Sequence, residues 1–212
     1  TKVCIGEHAV GRVIARPFRG SPGEFVRTAN RHDYSIEPPL PTILDKMKEA
    51  GYMVTGIGKI ADIFAHRGLT QSLPTTSNNH GMEILTKLVQ QCTKSGLIMA
   101  NLVDFDSVFG HRNDVAGYAQ ALETFDQQLG NLLDVITEND LVIVTADHGC
   151  DPTTAGTDHT REYVPLLAYA CGGRGNNLGV RATFADIGAT IAENFTLPAL
   201  PYGQSFLRQV VT

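Results

Sequence analysis

The stretch LIMANLVDFD, residues 97–106, is a nearly continuous apolar run that ends in acid. Alternation of apolar and polar residues would mark a strand with one wet face. An unbroken run of this length marks a strand buried on both faces, as in a parallel sheet. A second run, LVIVTADHG at residues 141–149, repeats the pattern. Between the two, YAQALETFDQQLGNLLDVIT (118–137) sets Ala121, Leu122, Phe125, Leu129, Leu132, Leu133 and Ile136 along one side, which predicts a strongly amphipathic helix.

The same alternation extends in both directions. PTILDKMKEAG (41–51) opens on Pro41 and closes on Gly51, with Ile43, Leu44 and Met47 at helical spacing, so it reads as a helix with both punctuation marks. YMVTGIG (52–58) reads as a short buried strand, MEILTKLVQQCTKSG (82–96) as a helix, VPLLAYA (164–170) as a strand and FADIGATIAENF (184–195) as a helix. This order predicts an α/β fold, a mostly parallel sheet with helices on both faces and ligands outside the carboxyl ends of the strands. Residues 1–38 differ. KVCIG and GRVIA alternate with Gly, Pro, Arg and His without a helical period, and they read as strands and loops. PPLP at 38–41 is a stiff, extended connector. The expected boundary therefore falls near residue 38, dividing the chain into 1–38 and 39–212.

A chain of 212 residues can bury a core of one well-packed domain. Hydrophobic content is 42%, yet no apolar run approaches the ~18–20 residues a membrane span needs, and no basic-then-apolar leader precedes the first strand. The expectation is a soluble protein with no membrane partner. A net charge of −5 gives no global basic field for nucleic acid, although residues 12–31 are locally rich in Arg; a small anionic ligand is compatible with that balance. Cys4, Cys92, Cys150 and Cys171 are far apart with no CxxC pair, as expected of reduced thiols in a cytoplasmic protein. The chain starts at Thr1 with a strand already under way, so it reads as a fragment.

The chemistry collects where apolar strands turn polar. NLVDFDSVFGH and VIVTADHG would deliver Asp106, His111, Asp147 and His148 to one sheet edge, and TDHT adds His159 in a loop. Carboxylate oxygen with neutral imidazole nitrogen is a ligand set for Mn, Zn or Fe, whereas an oxygen-only set would suggest Mg or Ca. Successive side chains at a strand end diverge, so Asp147 and His148 would serve two adjacent ions, or one if the backbone turns there. Two close ions are a standard clamp for a phosphoryl group. Each of these residues alone has a plainer reading, a helix N-cap for an Asp or a satisfied structural position for a His. Arg12, Arg16, Arg19, Arg27 and Arg31 could grip a phosphate through bidentate bonds, but spacing alone favours a solvated, ion-paired face. Lys59, in GIGKI at a strand end, is a further anion contact, and Cys150 beside the DHG turn reads as a bystander.

NLVDFDSVFGHRND, TADHGCDPTTAGTDHTREYVPLL and NLGVRATFADIGATIAENF, in this order, resemble the phosphopentomutase family of the alkaline phosphatase superfamily. GEHAVGRVIARPFRGSPGEFVRTANRHDY and PPLPTILDKMKEAGYMVTGIGKIADIF resemble the end of that family's α+β cap domain and its return to the core. The resemblance covers nearly the whole chain. It implies an incomplete alkaline phosphatase-like core and an enzyme that moves phosphate between C1 and C5 of ribose or deoxyribose through a phosphothreonine, with two Mn2+ ions. It implies Asp106, His111 and His159 at one ion, Asp147 and His148 as part of the other, and Arg12, Arg16 and Lys59 towards the pentose phosphate. The Mn preference is inherited from the resemblance, since the ligand set would take Zn or another divalent ion. In the family, the phosphorylated threonine and an aspartate completing the second ion site lie upstream of the part matched here. No catalytic nucleophile is therefore expected in this chain, and Thr145, Thr157 and Thr160 do not stand in its place. The missing partner is the amino-terminal part of the same polypeptide, without which the chain is expected to be inactive. Two other readings stand beside this one. The first is another phosphomutase or phosphodiesterase of the superfamily, such as a cofactor-independent phosphoglycerate mutase; the second is a non-catalytic metal-binding protein.

Overall fold

The computed structural model describes residues 6, 10–28 and 32–211. The expected KVCIG strand, apart from Gly6, lies outside them, as do Cys4 and Arg31. Two short antiparallel pairs come first: β1 (Arg12–Ala15) with β4 (His32–Ser35), and β2 (Phe18–Arg19) with β3 (Val26–Arg27). From residue 43 onward the chain is α/β, in the order α1 (Ile43–Glu49), β5 (Met53–Ile57), α2 (Ile60–Ile63), β6 (Gln71–Leu73), α3 (Asn78–Gln91), β7 (Gly96–Ala100), α4 (Val115–Leu133), β8 (Leu141–Thr145), β9 (Leu166–Ala170), α5 (Ala185–Asn194) and α6 (Leu207–Val211). None of the described helices is long and apolar enough to cross a membrane.

β5 is the central strand of a three-stranded parallel sheet in the order β6-β5-β7. The sequence MVTGI suits that place, since Val54, Thr55, Gly56 and Ile57 are all buried and a strand buried on both faces needs no polar alternation. One face carries the main core, Leu44, Met47, Val54, Ile60, Ala61 and Leu69, with Ile191, Phe195 and Leu197 packed against it from α5 and the turn beyond. Tyr52 meets Phe195 edge-on with ring centres 4.8 Å apart, a geometry that suits the quadrupoles of two aromatic rings. By alternation Thr55 and Ile57 point to the other face, and α3 packs on β5 and β7.

Ion pairs and caps tie the helices to this sheet. Asp45 accepts from Thr42 N at 2.6 Å and Oγ1 at 3.0 Å, and from Arg67 Nε at 2.9 Å. Arg67 also donates to the Pro38 carbonyl at 2.6 Å, so one guanidinium fastens the PPLP connector to α1. At the other end, Thr190 donates to Asp186 O and accepts from Phe206 N, which seats the fully buried Phe206 under α5.

The strand VPLLAYA departs from a continuous parallel sheet. β9 pairs antiparallel with β8, from Leu141 opposite Ala170 to Thr145 opposite Leu166. This pair forms its own sheet among the described residues. The chain returns from β8 to β9 through a loop with no crossover helix, and a parallel connection would require one. The expected strand ends also shift. LIMANLVDFD is extended only to Ala100, and LVIVTADHG only to Thr145. Both acidic ends lie beyond the strands, in turns.

Candidate metal centre

Asp106 owes its place to an unusual turn. Phe105–Phe109 form a π-helical turn, followed by a tight 3-10 turn at Gly110–Arg112. Such wide turns are rare and concentrate at functional sites. Two anchors hold this one. Asp104 N donates to Asn78 Oδ1 at 2.9 Å while Asp104 Oδ2 accepts from Asn78 N at 2.7 Å, locking the turn onto the start of α3. Phe105 meanwhile packs against Tyr118 and Phe125 of α4. Gly110 must be glycine here, because a Cβ would collide with Cys150 Sγ.

The second wall is the loop after β8. Gly149 and Thr160 form an isolated antiparallel bridge, which folds residues 150–159 back toward the π turn. Asn113, in the left-handed conformation that ends the 3-10 turn, donates to Thr154 O at 2.9 Å. Through these contacts two remote stretches of chain meet at one carboxylate. Asp106 Oδ1 lies 3.0 Å from His159 Nε2 and 3.2 Å from His111 Nε2. His148 stacks on His159 with ring centres 3.7 Å apart, and His111 stacks on His159 at 5.0 Å. Asp106, His148 and His159 offer donor atoms that all lie within 4.8 Å of one another.

These separations suit a shared cation. Two donors about 2.1 Å from one ion, at an angle of about 90–110°, are about 3.0–3.4 Å apart. Tautomers point the same way. His111 Nδ1 is bonded to the Thr157 carbonyl and His148 Nδ1 to the Gly149 carbonyl. A carbonyl only accepts, so each Nδ1 carries a hydrogen and Nε2 is the nitrogen left to bind a cation. That is the arrangement typical of metal-binding histidines.

Asp147 stands apart from this group. Its side chain is 74% exposed, and its Oδ1 approaches His148 Nε2 at 3.8 Å from the solvent side. The structure thus joins His148 to Asp106 and His159, rather than leaving it with Asp147 alone. Lys59 lies on the carboxyl edge of the parallel sheet. Gly58 N donates to Leu73 O, Asn101 N donates to Ile57 O, and a Cβ on Gly58 would strike the Asn101 carbonyl. The ends of β5, β6 and β7 are therefore drawn together at Gly58, the residue before Lys59. Arg12 begins β1 and Arg16 follows it, both in the amino-terminal pair of strands.

The cluster sits in a negative field. Burial, followed by the charges of Asp106, Glu162 and Asp151, pushes the Cys150 thiol above its ordinary value, so it stays protonated and packs on Gly110. Burial and then the charges of Cys150, Asp106 and Asp151 likewise raise Tyr118. Sequence reasoning missed Asp104, Asn78 and Asn113, which hold the turn. Their only signal was an Asx residue beside each helix start, a common cap pattern.

Fold and site together define a metal-dependent enzyme class, and the chain belongs to the metalloenzyme superfamily, whose profile matches residues 7–199. Within it, the chain is 58% identical to a phosphopentomutase of Caldanaerobacter subterraneus over 206 residues, covering 97% of this chain and 52% of that protein. It is 56% identical to a phosphopentomutase of Carboxydothermus hydrogenoformans (97% and 53%) and 53% identical to one of Lachnoclostridium phytofermentans (98% and 53%). The chain spans about half the length of these curated relatives. A solved protein of Pyrococcus horikoshii, PH0037, shares the fold with a TM-score of 0.51 at 18% identity, over 67% of this chain and 38% of that one.

Proposed function

We propose that these residues are the carboxyl-terminal part of a phosphopentomutase, which interconverts (deoxy)ribose 1-phosphate and (deoxy)ribose 5-phosphate in the cytoplasm. The observation that carries this is the convergence of Asp106, His111, His148 and His159 at ligand spacing in a chain more than half identical to phosphopentomutases. In this reading Asp106, His111 and His159 hold one Mn2+, and Asp147 with His148 hold part of a second. Bound divalent ions would supply charge neutralisation and polarisation of the phosphoryl oxygens.

The rest falls to this chain's own groups and to polypeptide outside it. Lys59 at the sheet edge, with Arg12 and Arg16 of a cap remnant ending near residue 38, would neutralise and orient the phosphate of the pentose. Histidines with Nδ1 bonded to carbonyls cannot rotate freely, which pre-arranges the site and lowers the cost of ordering it around substrate. The threonine that carries phosphate, and an aspartate completing the second ion site, belong to residues outside these 212. The chain alone is then inactive. The negative field around Asp106 favours a cation as first occupant and leaves phosphate to bind through it and the basic residues.

The test is conversion of ribose 1-phosphate to ribose 5-phosphate with Mn2+, measured for this chain and for a polypeptide extended to the length of its relatives. Turnover is expected from the extended protein only. No turnover there, or preference for phosphoglycerate or nucleotide esters, would overturn the reading.

A further inference from the structure

The loop that brings His159 to Asp106 has no regular structure of its own. Residues 151–159 run through turns and bends, with Gly156 at a φ of +98°, and the His159 side chain is 48% exposed. The ring is stacked on His148 and His111, and the irregular backbone that carries it needs anchors of its own. The residue after His159 is saturated with bonds. Thr160 N donates to Gly149 O at 3.1 Å, and its hydroxyl accepts from Asp151 N at 2.7 Å while donating to Glu162 Oε2 at 2.6 Å. The hydroxyl thus links the descending limb of the loop, beside His148 and Gly149, to the ascending limb that carries His159. Donor and acceptor capacity are both in use, and a hydroxyl polarised by a carboxylate is a stronger acceptor for the Asp151 amide.

Gly149 fits the same device. A Cβ there would collide with the Glu162 carboxylate and the Thr160 carbonyl. The glycine of DHG is what allows Glu162 to fold back over the strand end. Asp151 in turn accepts from Thr153 N at 2.8 Å and Thr153 Oγ1 at 2.7 Å, which shapes the first turn of the loop.

We propose that Thr160, clamped by Glu162, is a positioning residue that sets His159 against Asp106 and His148. This rests on the metal reading above and adds to it a residue with no ligand role of its own. Outer partners that orient metal ligands typically change affinity by about 10- to 100-fold.

The experiment measures Mn2+ affinity of the 212-residue chain, from the loss of the free-ion electron paramagnetic resonance signal, for the wild type, Thr160→Val and Thr160→Ser. Valine keeps the β-branched shape and removes the hydroxyl; serine restores it. Thr160→Val is expected to bind about tenfold more weakly, and Thr160→Ser within about twofold of wild type. Should Thr160→Val fail to fold, as judged by circular dichroism, Glu162→Ala unmoors the hydroxyl without removing it, and the same loss is expected. Equal affinity of Thr160→Val and wild type, or a serine variant as weak as valine, overturns the proposal alone. A wild-type chain that takes up no Mn2+ overturns the metal reading and this proposal together.

Discussion

His159 is the most informative single residue of the centre. It touches Asp106 through Nε2 and stacks on both His148 and His111, yet it is half exposed on an irregular loop. Removing it should therefore affect binding far more than folding. We expect His159→Ala to lower Mn2+ content, by elemental analysis, by more than the about 10- to 100-fold affinity loss that even an outer partner of a ligand produces. Stability of the metal-free form should stay within about 0.5 kcal/mol, as for most exposed positions away from buried features. Unchanged metal content would remove His159 from the centre. Its identity as a metal-competent residue was legible from TDHT. Its stacking on His148 was not, because the two limbs are brought together by an isolated backbone bridge between Gly149 and Thr160, with side-chain bonds from Thr160 beside it, rather than by any periodic pattern.

Among the elements, α1 shows how a helix start can also serve as a junction. Burial opposes the charge on Asp45, but hydrogen bonds from Thr42 and Arg67 outweigh it and hold the carboxyl below its ordinary value of 3.8. Because the folded-state value is the lower one, the stabilisation is complete above the unfolded-state value and is lost as pH falls through the folded-state value. Charged hydrogen bonds of this kind are worth roughly 1.5–3 kcal/mol. We expect Arg67→Met to lower the urea midpoint clearly at pH 7, with the gap from wild type narrowing as Asp45 protonates. A gap independent of pH would mean that Arg67 acts through Pro38 alone. Helix existence and type were readable from spacing and punctuation here, as they were for α3, α4 and α5. Starts were less so. α3 begins at Asn78 because Ser77 Oγ accepts from His80 N, four residues before the apolar period at Met82. The π turn at Phe105–Phe109 carries no sequence mark at all, since the same apolar residues would equally continue a strand. It exists because Asp104 is held by Asn78 and Phe105 by α4.

For the molecule as a whole, two apolar strands are left half covered. β7 has β5 as its only strand partner and β8 has only β9, among the described residues. Their sequences, GLIMA and LVIVT, carry no charge and are only partly buried. Unpaired apolar edges are a template for association. The chain spans about half of its relatives' length, and a polypeptide of that full length has room for strands that would satisfy these edges. We expect the 212-residue chain to associate in sedimentation measurements at about 10–100 µM, and the polypeptide extended to the length of its relatives to show a discrete size under the same conditions. A monomeric short chain across that range would show that the edges are protected in some other way.

The sequence by itself determined the α/β class, the positions of most helices and strands, and which side chains could bind metal, because each of these follows from local periodicity, punctuation or chemical type. Only the tertiary structure decided that β9 runs antiparallel to β8, that Asp106 rides a π turn, and that His148 groups with Asp106 and His159 while Asp147 faces solvent. Those features depend on contacts between residues far apart in the chain, such as Asn113 with Thr154, 41 positions apart, and Asp106 with His159, 53 positions apart. No local pattern along the chain records which distant partner a hydrogen-bonding group will find.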